Sequence, residues 1–170
     1  TGSTPSISAD GRWICYTSRS EEAFGIGVFY TNDAGIVLHD SLTGTNTTVL
    51  SPDGNPDTEA EPSYGYGGGY YGSMSGDGSA VIFTTRVPDA GNGDAGDDND
   101  AVVWTRATGA FERVSVPTSG ADVTHGWQDS TLLTPRLSHD ARFAVFASPQ
   151  DLSGTGLPYG MRAWIRDREA

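Results

Sequence analysis

Between Asp89 and Asp100 the chain sets seven Asp or Asn residues among twelve, with Gly91, Gly93 and Gly96 between them. Carboxylate, amide and main-chain oxygens are the ligands of hard cations. Ca²⁺ takes about six to eight of them, and glycine lets a short loop turn sharply enough to bring several onto one ion. Calcium is therefore the cofactor this stretch suggests, with Asp94, Asp97, Asp98 and Asp100 as candidate ligands. The spacing is not that of an EF-hand, and the alternative is a solvated acidic loop.

Two further stretches carry recognition chemistry. Tyr64-Gly65-Tyr66-Gly67-Gly68-Gly69-Tyr70-Tyr71-Gly72 is a run of tyrosines on a glycine-rich backbone. Tyrosine offers a broad surface with a polar tip, so Tyr64, Tyr66, Tyr70 and Tyr71 suit binding of a sugar, a peptide or a neighbouring chain. Gly67, Gly69 and Gly72 match G-x-G-x-x-G, but no strand precedes them and no helix follows, so a dinucleotide site is excluded. His125-Gly126-Trp127-Gln128 adds an indole that can stack on a sugar ring, beside a histidine without metal-ligand companions. Catalytic signatures are missing. Gly72-Ser73-Met74-Ser75-Gly76 has methionine where a nucleophile elbow needs serine, and there is no H-E-x-x-H. The expectation is no enzyme activity within these residues, or at most membership of a larger hydrolase.

All ten basic residues are arginine, against 22 acidic ones, for a net charge of -12 and a pI near 4.3. Such a field repels nucleic acid and anionic lipid and favours cationic partners. No stretch approaches the ~20 apolar residues of a membrane span. No charged and then apolar leader opens the chain, so any signal peptide is expected to have been removed or never present. Cys15, the single cysteine, lies in Trp13-Ile14-Cys15-Tyr16-Thr17 as a small buried apolar residue.

The elements that position these stretches repeat. Ser8-Ala9-Asp10-Gly11-Arg12-Trp13-Ile14-Cys15-Tyr16 aligns without gaps with Ser75-Gly76-Asp77-Gly78-Ser79-Ala80-Val81-Ile82-Phe83. Both align with Ser138-His139-Asp140-Ala141-Arg142-Phe143-Ala144-Val145-Phe146. A second block recurs at Ile36–Gly44, Ala101–Gly109 and Ala163–Ala170. Short β-branched and aromatic runs bounded by Asp-Gly and Thr-Gly turns read as strands. The first copy predicts strands near 6–8, 12–18, 36–41 and 47–51. Three four-stranded antiparallel meanders at a fixed period predict an all-β chain, a segment of a β-propeller. The expected blades span about 5–51, 71–116 and 134–170, the third lacking its outer strand. Up-down order sends the long stretches 19–35, 52–71, 86–100, 117–134 and 149–160 to one face, the expected binding face.

Pro5-Ser6-Ile7-Ser8-Ala9-Asp10-Gly11-Arg12 and its copies, with the strand ending Trp164-Ile165-Arg166-Asp167-Arg168 and the Thr-Gly turns, resemble the TolB-like, WD-like propeller repeats of bacterial periplasmic and secreted proteins. The departures are Gly72, where the other copies have Pro5 and Pro135, and Ala141, where they have glycine. The resemblance implies a secreted or periplasmic propeller, which serves as a binding platform, as an accessory domain of a peptidase or as part of a larger extracellular protein. With the catalytic signatures missing, a module that binds or assembles is expected. Other protein chains are the expected partners, by self-association or as the rest of a longer propeller. A carbohydrate or peptide ligand, or a place beside a larger hydrolase, is the alternative. Three blades leave two sheet faces without a neighbour, which is why assembly leads.

Overall fold

The computed structural model describes residues 3–18, 35–49, 72–85, 100–118 and 133–170. They form eleven strands in three antiparallel sheets. Sheet 1 holds β1 (Ser3–Ile7), β2 (Trp13–Ser18), β3 (Gly35–Asp40) and β4 (Thr45–Val49) in sequence order. Sheet 2 repeats this with β5 (Ser73–Met74), β6 (Ala80–Thr85), β7 (Asp100–Thr105) and β8 (Ala110–Arg113). Sheet 3 has three strands, β9 (Leu133–Leu137), β10 (Phe143–Ser148) and β11 (Arg162–Asp167). The described residues include no helix long and apolar enough to cross a membrane.

The first turn of each sheet is one device built three times. The Ser8, Ser75 and Ser138 hydroxyls donate to the aspartate two residues on, Asp10, Asp77 and Asp140, at 2.5, 2.7 and 2.6 Å. Each aspartate accepts the main-chain N–H of Arg12, Ser79 or Arg142. Each serine also accepts the N–H that opens the next strand, Trp13, Ala80 or Phe143. This closed loop of bonds is the side-chain-to-backbone turn that Ser and Asp favour. The residue after the aspartate must turn left-handed, with φ of 74° at Gly11, 72° at Gly78 and 60° at Ala141. The alanine of the third copy thus keeps the turn and takes the strain instead of changing the turn.

The outer turn shifts one sequence expectation. Gly44, at φ 71°, donates its N–H to Asp40 O at 2.8 Å, so pairing resumes at Thr45 opposite Asp40. The fourth strand is therefore Thr45–Val49 rather than 47–51, and the first strand begins earlier than position 6, at Ser3.

Alternation along the strands sends side chains to two faces of each sheet. Cys15, Ile36, Leu38 and Val49 of sheet 1 pack against Met74, Val81, Phe83, Val102 and Trp104 of sheet 2. The other face of sheet 2, with Ala80, Ile82, Ala101 and Val103, packs against Ala144 and Phe146 of sheet 3. Sheet 2 is thus buried on both faces, which explains why β6 and β7 read as unbroken apolar runs. The first strands stand side by side, β1 next to β5 and β5 next to β9. Main-chain bonds join their turns: Ala9 N–H donates to Gly76 O at 2.7 Å and Asp77 N–H to His139 O at 2.8 Å. At Gly72, where the other copies have proline, a Cβ would make ordinary contacts, 3.4 Å from Cys15 Sγ and 3.7 Å from Ile36 Cδ1.

Candidate functional site: an uncovered sheet face

The two packed interfaces define which face of a sheet receives its successor. Cys15 pairs with Leu38, Ile82 with Val103, and Val145 with Ile165, so these are the same two positions in three sheets. Cys15, Ile82 and Val103 are 0% exposed and Leu38 1%, each covered by the next sheet. In sheet 3 the equivalents are open: Val145 is 40% exposed and Ile165 71%, with Phe143 beside them at 38%. The face is apolar because the repeat makes it so, and among the described residues no sheet lies over it. Leu157, Tyr159 and Met161, before β11, are exposed apolar side chains as well.

Charged groups frame the same face. Arg12 donates twice to Asp40, at 3.0 and 2.8 Å, and Arg142 twice to Asp167 at the same distances. These forked bonds hold the Asp40 carboxyl well below the usual range and lower that of Asp167. Sheet 2 has lost both partners together, with Ser79 and Thr105 in their places. Position 106 supplies a guanidinium there instead. Arg106 Nε donates to Gly78 O at 2.8 Å while its guanidinium lies 4.1 Å from the Trp13 ring, which has Arg12 at 4.7 Å. Arg168, the equivalent in sheet 3, donates to Ala141 O at 2.7 Å and reaches back to Glu112 of sheet 2 at 2.8 Å. Phe143 stands where Trp13 does, with Arg142 at 4.9 Å.

Most residues singled out from sequence lie outside the described residues: Tyr64, Tyr66, Tyr70, Tyr71, His125, Trp127, Asp94, Asp97 and Asp98. Asp100 is described. It opens β7, is 8% exposed, and accepts from Ser115 Oγ at 2.5 Å and from Arg113 Nη1 at 3.4 Å, so a guanidinium already faces its charge. Among the described residues no three His, Cys, Asp or Glu side chains gather as a metal set. Two of the long stretches do meet: Thr118, after β8, donates its N–H and hydroxyl to Leu152 O in the loop after β10. Burial pushes the Cys15 thiol up to about 12, which keeps it protonated and unreactive in the fold. Reasoning from sequence expected two uncovered end faces but did not name Phe143, Val145 and Ile165. Their signal was the alignment itself, which sets these residues opposite positions that the first two sheets bury.

No family model and no curated protein sequence matches the chain. Solved structures do. The β-propeller domain of the Trilobed protease from Pyrococcus furiosus is 12% identical over 99% of this chain and 39% of its own, with a TM-score of 0.57. A prolyl endopeptidase is 16% identical over 100% of this chain and 21% of its own, with a TM-score of 0.55. A putative TolB from Agrobacterium tumefaciens is 16% identical over 99% of this chain and 46% of its own, with a TM-score of 0.52. This chain thus spans less than half the length of the proteins it resembles. With its three stacked meanders, it is an all-β, TolB-like segment of a β-propeller.

Proposed function

We propose that the chain is a non-catalytic binding and assembly module that works outside the cytoplasm and joins other protein chains through its open sheet face. The observation that carries this reading is the exposure of Phe143, Val145 and Ile165 at positions whose equivalents in the neighbouring sheets are buried. Contiguous apolar surface of this kind marks a contact site in a soluble protein. The resemblance of the repeats to those of periplasmic and secreted propellers supports the location. A photoreactive amino acid at position 145, in the chain expressed in its native cells, tests the contact. An adduct with a protein chain is the expected result, and a face that yields none overturns the reading.

A second reading has its own support. The structures this chain resembles include the β-propeller domain of a protease and a prolyl endopeptidase, of which it spans 39% and 21%. The module would then be the propeller of a larger hydrolase, and the photo-adduct would form within a single long polypeptide.

A further inference from the structure

Charge is segregated along this chain. Fifteen of the 22 acidic residues lie in the connecting stretches 19–35, 52–71, 86–100, 117–134 and 149–160, which hold only two of the ten arginines, Arg19 and Arg86. Those stretches therefore carry a net charge of -13, while the seven carboxylates and eight arginines elsewhere leave +1. All five leave and re-enter the sheets at one end, where β2, β4, β6, β8 and β10 finish and the following strand starts. The short turns that carry Asp10, Asp77 and Asp140 stand at the other end. A field of one sign at one end draws cationic partners to that end.

Apolar groups are held out to solvent at the same end. In the connection from β10 to β11, Leu157 is 42% exposed, Tyr159 68% and Met161 49%. Hydrogen bonds fix this segment from both sides. Asp151 Oδ2 accepts the Leu157 N–H at 2.7 Å, while its Oδ1 accepts the N–H and the hydroxyl of Ser153 at 3.1 and 2.5 Å. Arg162 donates from Nη2 to Pro158 O and from Nη1 to Gly160 O, so the carbonyls on either side of Tyr159 are tied to one guanidinium. Thr118 secures the base of the loop at Leu152 O. Bonds made within the loop order it before a partner arrives, which lowers the cost of binding. Apolar anchors with charge around them have the layout of a protein contact, and tyrosine is an effective anchor.

From this placement we infer that the end of the sheets bearing Leu157, Tyr159 and Met161 is a docking surface for a basic polypeptide segment. An apolar or aromatic side chain of that segment seats on the loop while its cations meet the acidic field. This surface is separate from the open face of sheet 3 and lies beyond the role proposed for that face. A phage-displayed library of random peptides, panned against the intact protein, tests it. The enriched peptides are expected to combine net positive charge with at least one large apolar residue. As a synthetic peptide, the best of them should bind at least about tenfold more weakly to the protein with both Leu157→Ser and Tyr159→Ser, as loss of contact anchors does. Both side chains are exposed, so the melting temperature should hold. Leu42→Ser, the same change at a leucine 74% exposed at the opposite end, should leave the affinity unchanged. Tyr159→Glu should bind the peptide more tightly than Tyr159→Lys, an order that a merely structural tyrosine would not produce. Raising salt from about 50 to about 500 mM should weaken binding. No enriched peptide, acidic or neutral winners, an affinity indifferent to positions 157 and 159, or equal affinity in the Glu and Lys variants overturns the inference. Binding of the parent to phosphatidylcholine vesicles that Tyr159→Ser abolishes overturns it as well, by making the loop a lipid anchor.

Discussion

At the residue scale the three left-handed turn positions do the same backbone work under different neighbours, so one substitution should have three outcomes. A non-glycine residue in the left-handed region costs about 1–2 kcal/mol. Gly11→Ala meets nothing within 4 Å and should cost about 1 kcal/mol in urea unfolding of the dilute chain. Gly78→Ala adds overlap with the Trp13 ring, which Arg12 and Arg106 flank, and overpacking adds roughly 1–3 kcal/mol. Its total should reach about 2–4 kcal/mol. Ala141→Gly relieves strain but gives up a buried methyl worth about 0.8 kcal/mol and loosens the unfolded chain. The two effects oppose, and stability should stay within about 0.5 kcal/mol of the parent. Equal costs at positions 11 and 78 would show that the Trp13 contact contributes nothing.

At the element scale the Arg12–Asp40 and Arg142–Asp167 pairs tie the start of the second strand to the end of the third, and sheet 2 shows that the meander also forms without them. The Asp40 side chain is 6% exposed and that of Arg12 41%, so the two partners differ in what their loss leaves behind. Arg12→Ser strands a carboxylate, whereas adding Asp40→Thr reproduces the composition of sheet 2. The double variant should therefore be more stable than Arg12→Ser alone, a difference that urea midpoints resolve. Acid supplies the sign. The Asp40 carboxyl is held below its ordinary value of 3.8, so its contribution is complete above that pH and drains as pH falls below it. The parent should lose stability on acidification from about pH 6 to about pH 2 more steeply than Arg12→Ser does. These turns and strands were legible in the sequence because they are local: Ser-x-Asp, a left-handed residue and an apolar run each specify their own geometry. Whether Val145 is covered was not legible in the same way. It occupies the position of Cys15 and Ile82, and only the presence of a following sheet separates exposed from buried. Asp100 illustrates the converse. Its composition suggested an oxygen ligand, yet its partners Arg113 and Ser115 come from β8 and the segment after it, more than ten residues on.

At the scale of the whole molecule the three sheets form a row in which sheet 2 touches both others, so stability should pass between nearest neighbours as in other repeat proteins. Adjacent residues of β6 make this separable, because Phe83 faces sheet 1 and Ile82 faces sheet 3, both fully buried. Truncating either to alanine should cost about 2–5 kcal/mol, the ordinary range for a large buried side chain. The damage should be directional. In hydrogen exchange of the dilute chain, Ile82→Ala should speed exchange in β9 and β10 while β2 and β3 keep most of their protection. Phe83→Ala should do the reverse. In the parent, the amides of Val81, Ile82, Val102 and Val103 should exchange slowest, because their strands are central in sheet 2, which packs against a sheet on each face. The main-chain bonds from Ala9 to Gly76 and from Asp77 to His139 oppose this independence by coupling the turns directly. Uniform acceleration in all three sheets by either variant would mean that those links, with the packed faces, make the row a single cooperative unit.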